Sequence, residues 1–197
     1  MAAHRSIPSP SRRRQAGFSL VEVSIVTAIV LIVSIIGIPA INSYVVENKV
    51  PRVAGELQRY ATRTKANAQG VSNPYVGIDT GNLARAMRSS SILAVDAAQL
   101  SRVAHGLGGN GTSTGLIAIA PEDNGARFVV TLDAVSDAAC PGLASILQRV
   151  AGRIRVTGAT GTVVKDELAT PAVAYSPLAA ERACSTGDTN TLAFTVW

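Results

Sequence analysis

The chain has 197 residues, with 18 lysines and arginines against 13 acids, and its formal net charge is +5. Four of the arginines precede Gly17, so the rest of the chain carries only +1, and the net charge is no argument for nucleic-acid binding. The two histidines and two cysteines form no HExxH or CxxC motif, and GxSxG is absent. We therefore predict no catalytic residue, no metal and no cofactor.

A basic segment followed by a long apolar run begins the chain. Residues 1–17 are polar and contain Arg12, Arg13 and Arg14, and no charged residue occurs from Val23 to Ile41. About 20 mainly apolar residues are enough to cross a bilayer. We predict a membrane-spanning helix over about residues 18–41, with the arginines holding its beginning in the cytoplasm.

Two ordinary kinds of membrane segment remain possible at this point, a cleaved signal peptide and an uncleaved signal anchor. A secretory signal has an apolar core of about 7–15 residues followed by its cleavage site, so this run is long, although residues 36–40 resemble a weak site. Glu22 argues against both, because a carboxylate within a span costs about 2–3 kcal/mol at mid-span. The run contains no lysine or arginine that would pair with it.

The hexapeptide Gly17-Phe18-Ser19-Leu20-Val21-Glu22 resembles the processing motif of type IV prepilins and related pseudopilins. The resemblance implies that a prepilin peptidase cuts between Gly17 and Phe18 and methylates the new N-terminal Phe18. It also implies that Glu22 pairs with the N-terminal amine of a neighbouring subunit during assembly. Two charges in an apolar environment are tolerated when they are paired.

The helix is predicted to continue beyond the membrane, from Phe18 to Gly70. Val53, Leu57 and Tyr60 recur at helical spacing and mark a face that packs on a globular head. Pro39 and Pro51 are predicted kinks, since a proline removes one helical hydrogen bond. The alternative for both prolines is a simple break at the end of the span.

Residues 71–197 are predicted to form an α+β head with a mainly antiparallel sheet, because short strand patterns follow the long helix. Asn124-Gly125 is a hairpin signal. The predicted helices are residues 81–87, 96–103 and 140–150, and the predicted strands are residues 116–120, 127–132, 153–156, 162–164 and 191–197.

Cys140 and Cys184 both lie beyond the apolar run and would reach an oxidising compartment, where one disulfide is the default. Two buried free thiols are the alternative. The C-terminal segment is similar to type IVb-like pilins, in which a disulfide ties the start of a helix to the last strand. The short leader and Phe18 are more similar to the type IVa branch.

The predicted function is that of a structural subunit, a homo-oligomer within a type IV pilus filament. The precursor would lie in the inner membrane with its head in the periplasm, and the assembled fibre at the cell surface. Expected partners are prepilin peptidase and the pilus assembly machinery, with a host surface or DNA as further possibilities through adhesion, motility, DNA uptake or conjugation. The alternatives are a type II secretion pseudopilin and a signal-anchored periplasmic enzyme.

Overall fold

A computed structural model describes residues 17–157 and 161–197, apart from the side chains of residues 38–40, 42 and 157. The chain divides into two compact units, Met1–Ala40 and Ile41–Trp197. Residues 1–16 of the predicted leader lie outside the described residues. The predicted boundaries at residues 17 and 70 stay predictions.

The first helix, α1, spans Leu20–Asn67 and contains 48 residues. Its assignment is uninterrupted at positions 39 and 51, so neither proline ends the helix, and the kinks expected there stay predictions. In the second unit, the predicted stripe of Val53, Leu57 and Tyr60 is buried. Gly70 follows the helix with a φ of 81°, a conformation that glycine adopts without strain.

In the described part of the second unit, α1 is followed by seven strands, three α-helices and one short 3₁₀ helix (Asp123–Gly125). The strands are β1 (Ala94–Val95), β2 (Val103–Ala104), β3 (Ile117–Glu122), β4 (Arg127–Val135), β5 (Arg153–Thr157), β6 (Thr162–Asp166) and β7 (Asn190–Val196). The helices are α2 (Thr80–Ala86), α3 (Cys140–Leu147) and α4 (Pro177–Ala183). Strands β1 and β2 pair with each other, and the other five form one antiparallel sheet in the order β3-β4-β7-β5-β6. The predicted α+β class with a mainly antiparallel sheet is confirmed.

Alternating apolar residues on β4 and β7 supply the centre of the core. Phe128 on β4 is fully buried and makes edge-to-face contacts with two tyrosines. Its ring centroid lies 6.5 Å from that of Tyr60 on α1 and 4.8 Å from that of Tyr75 in the connection to α2. Such aromatic pairs add about 0.5–1.5 kcal/mol beyond area burial. Phe128 thus packs both α1 and the α1–α2 connection against the sheet.

The two outer strands of the sheet have different neighbours. Helix α2 lies beside β3, where the backbone N–H of Ile119 donates to Thr80 Oγ1 at 3.0 Å, and Pro121 has no N–H to offer. Helix α4 lies beside β5 and β6 and also contacts α3. An exposed edge strand invites pairing with other chains, so α2 also protects this edge.

The helix predicted at residues 96–103 is wrong. That segment is the turn between β1 and β2, because Asp96 Oδ1 accepts from the backbone N–H groups of Ala98 and Gln99 and so closes the chain into a turn. Aspartate commonly competes with helix formation in this way. The predicted helix beginning at Cys140 is confirmed, and it ends at Leu147.

Candidate functional site

The predicted cleavage site lies immediately before α1. Gly17, Phe18 and Ser19 are not helical, and the first helical hydrogen bond runs from the N–H of Val23 to the carbonyl of Ser19 at 3.1 Å. Phe18 is 83% exposed, and Gly17 is exposed as well. The Gly17–Phe18 peptide bond is therefore in an open, non-helical segment, as a protease requires of its substrate.

Glu22 lies in the first turn of α1, four residues after Phe18. Phe18, just before the helix, and Glu22 lie together with Val23 and Val26 along an open groove of about 260 Å³. A carboxylate in the first turn is favoured by the helix dipole. Among the described residues the Glu22 side chain makes no hydrogen bond or ion pair, so it is open to a partner from another molecule.

The apolar part of α1 has the length and composition of a membrane span. The window Leu20–Gly37 has a mean hydropathy of 2.6, and none of its residues is buried within the chain. A core helix of a soluble protein would be mostly buried. The exposed apolar surface of this helix is instead suited to contact with lipid or with other subunits.

Three hydroxyl groups interrupt the apolar surface, and each donates to a carbonyl of its own helix. Ser24 Oγ donates to Val21 O at 2.8 Å, and Thr27 Oγ1 donates to Val23 O at 2.7 Å. Ser34 Oγ donates to the carbonyl of Val30 at 2.7 Å. Polar groups in a membrane need such internal partners.

The two cysteines form the predicted disulfide, and neither remains free. Cys140 is the first residue of α3, Cys184 directly follows α4, and their Cα atoms are 6.0 Å apart. The alternative of two free thiols is wrong. The bond joins the start of α3 to the end of α4.

His105 has a structural role. It is fully buried, its Nε2 lies 2.8 Å from the carbonyl oxygen of Asp133, and its Nδ1 accepts from the N–H of Leu107 at 3.0 Å. The ring is therefore neutral with its proton on Nε2, and burial lowers its pKa. Both ring nitrogens are occupied, which leaves neither for a ligand.

Two surface features were not predicted from the sequence. The first is a groove of about 450 Å³ between the end of α1, the connection that follows and α2. The second is α4, whose signal is Ser176-Pro177, because serine is a good N-cap and proline a good first helical residue. Ser176 Oγ accepts from the N–H of Ala179 at 3.3 Å. The groove has no such signal, since it arises from tertiary packing.

Comparison with known proteins agrees with this arrangement. Residues 12–38 match the model of the prokaryotic N-terminal methylation motif, and residues 49–197 match the PilS N-terminal model. The fold and the motif together define a type IV pilin. The chain belongs to the PilS N-terminal family, and its family and fold are those of structural pilins.

Among the solved structures that match this chain are two type IV pilins. The type IVb pilin from Salmonella typhi has 22% sequence identity and a TM-score of 0.50, over 73% of this chain and 97% of that one. TcpA, a type IV pilin from the Vibrio cholerae El Tor biotype, has 14% identity and a TM-score of 0.47, over 77% and 99% of the two chains. A search of curated proteins found no significant match. The first of these similarities supports the fold.

Proposed function

We propose that this chain is the subunit of a type IV pilus, made as a precursor that prepilin peptidase cuts between Gly17 and Phe18 and methylates at Phe18. One observation carries the proposal: the methylation-motif match over residues 12–38 coincides with an exposed, non-helical cleavage segment and an unburied apolar helix. The basic leader keeps this end in the cytoplasm. The head then lies in the periplasm, and the precursor waits in the inner membrane.

Cleavage changes the charge of the segment and creates a positively charged partner for Glu22. It removes four arginines and leaves an amine on Phe18. In an apolar fibre core this amine of one subunit pairs with the Glu22 carboxylate of its neighbour, because an unpaired buried charge is strongly unfavourable. Lipid tails are as apolar as leucine, so close packing and this charge pair, more than transfer from water, favour association of the helices. The assembly machinery then extends the fibre at the cell surface.

The uses of such a fibre include adhesion to a host surface, motility, DNA uptake and conjugation. All four uses require the same two steps, the processing of the subunit and its polymerisation.

Mass spectrometry of the mature N-terminus tests the processing step. We expect the chain to begin at Phe18 and to carry one additional methyl group on its amine. A mature chain that begins after Ala40, or one that keeps Met1, would contradict the proposal.

Gly17→Val and Gly37→Val form a matched pair for this measurement. A Cβ at either glycine meets no described atom within 4 Å, so both positions have open space for a side chain. We expect Gly17→Val to accumulate as the uncut precursor and Gly37→Val to be cut normally. Equal processing of the two variants would show that cleavage does not depend on Gly17, which would contradict the predicted cleavage site.

A further inference from the structure

We propose that, in the fibre whose existence rests on the function proposed above, α4 of one head docks into the groove between α1 and α2 of a second copy. Leu178 enters the groove, and Glu181 pairs with Arg63. Each head thus presents a groove to one neighbour and a helix to another.

The walls of the groove are partly apolar, with the polar side chains of Thr64, Asn67 and Asn82 and a single charged residue. Its volume of about 450 Å³ is large enough for one or two side chains. The charged residue is Arg63, near the end of α1. The apolar lining comes from Tyr60, Ala68, Pro74, Tyr75, Val76, Ile78, Ala86 and Met87.

Arg63 has no acidic partner in its own head. On the same helix, Arg59 Nη2 lies 2.6 Å from Glu56 Oε1, and on α2 Arg85 is within 3.9 Å of Asp79. Among the described residues the exposed Arg63 makes no ion pair or hydrogen bond. A guanidinium beside a partly apolar groove suits a ligand that combines a carboxylate with an apolar side chain.

Helix α4 exposes that combination. Leu178 is 64% exposed, and Glu181, three residues later and therefore on the same face, is exposed as well. The other face is buried through Ala180 and Ala183, which hold the helix on the head. The Glu181 side chain makes no ion pair or hydrogen bond with any described residue.

The groove and α4 lie at opposite edges of the sheet in each head. The groove adjoins α2, beside β3 at one edge of the sheet, and α4 lies beside β5 and β6 at the other edge. A contact between two different surfaces is heterologous, so it repeats from copy to copy and builds a filament when the rotation between copies does not close a ring. A fibre subunit needs this property, whereas a self-complementary contact would stop at a dimer.

Charge reversal in the full-length chain tests the pairing through the amount of fibre sheared from cells, relative to total subunit. We expect Arg63→Glu and Glu181→Arg each to lower the amount about tenfold or more through like-charge contacts, and the double variant to recover to within about twofold of wild type. Arg149→Glu, at an exposed arginine outside the groove, controls for net charge and should leave the amount unchanged. Recovery in the double variant also shows that both substitutions are compatible with folding.

Wild-type amounts of fibre from both single variants would overturn the inference and leave the groove open to a ligand other than this chain. Failure of the double variant to recover would also overturn it. If the wild-type chain makes no fibre at all, the proposed function fails, and this inference falls with it.

Cysteine pairs give a second readout in assembled fibres. Val76 lines the groove and is 70% exposed, so a Val76→Cys/Leu178→Cys chain should form a ladder of disulfide-linked subunits on a non-reducing gel. The control is Val163→Cys/Leu178→Cys, whose first position lies on β6, away from the groove. A ladder from the control alone, or from neither chain, would contradict the docking.

Discussion

A single buried imidazole shows how neighbours determine the chemistry of a residue in this head. His105 Nε2–H donates to the carbonyl of Asp133, and Nδ1 accepts from the N–H of Leu107. A second proton, on Nδ1, would face that N–H donor and has no acceptor. The nearby carboxylates of Asp133 and Asp188 favour the charged ring, but burial is the larger effect and lowers the pKa.

The stability of the head should therefore fall in mild acid. The pKa of His105 is lower in the folded chain than its unfolded value of about 6.5, so the unfolded state binds more protons as the pH falls below that value. Between about pH 7 and pH 5 we expect a loss of up to about 2 kcal/mol in the free energy of unfolding from this residue. Urea denaturation of the detergent-solubilised chain measures it.

The matched control is His105→Gln, which has no titrating ring. This variant should be less stable than wild type at neutral pH, but its stability should change less between the same two pH values. An identical pH dependence in the two chains would contradict the assignment to His105.

Motif residues could be predicted from sequence, whereas His105 could not. Gly17, Phe18 and Glu22 lie within six consecutive residues, and their predicted roles rest on the resemblance of that short motif to the prepilin processing motif. The partner of His105 is the carbonyl of Asp133, 28 residues away, and that distance is closed only by the folded sheet.

At the scale of elements, the disulfide closes the C-terminal part of the head. Its cysteines are 44 residues apart, and the enclosed chain contains β5 and β6. The helices at its two ends, α3 and α4, contact each other directly. Cross-linking mainly restricts the unfolded chain, so its effect on stability depends on the length of this loop.

Replacing both cysteines should lower stability substantially. For a loop of this length the chain-entropy model gives a loss of about 3–4 kcal/mol in the free energy of unfolding for Cys140→Ala/Cys184→Ala. The urea midpoint of the oxidised wild type and of the variant measures the difference. The reduced wild type is the control and should resemble the variant, and equal midpoints for all three samples would contradict the prediction.

Local patterns predicted most strands, but they did not predict the order of the sheet. The strands rich in valine, isoleucine and threonine and the turn at Asn124-Gly125 were found because their signals are local. β7 lies between β4 and β5, a pairing that joins distant parts of the chain. Helix α4 was missed because Leu178 is its only large apolar residue, so no apolar stripe marks it in the sequence.

At the scale of the molecule, the two compact units satisfy their apolar surface differently. The unit Ile41–Trp197 buries its own core around Phe128, Leu132 and Leu192. The window Leu20–Gly37 in the other unit buries nothing within the chain. A single copy in water cannot cover that surface, so the membrane or the fibre must do so.

Removing the charge of Glu22 should leave processing of the subunit intact but impair fibre assembly. Glu22→Gln keeps the size of the side chain but loses the partner for the Phe18 amine, so we expect normal cleavage and about a tenfold or greater loss of sheared fibre. Glu47→Gln is the matched control, at an exposed glutamate on the same helix beyond the apolar run. Normal fibres from Glu22→Gln would contradict the charge pair.

Ser24, Thr27 and Ser34 keep their hydrogen bonds within their own helix whatever surrounds it. In the fibre proposed above, a subunit that moves from lipid to its neighbours exchanges one set of apolar contacts for another. Transfer in either direction breaks none of these three hydrogen bonds.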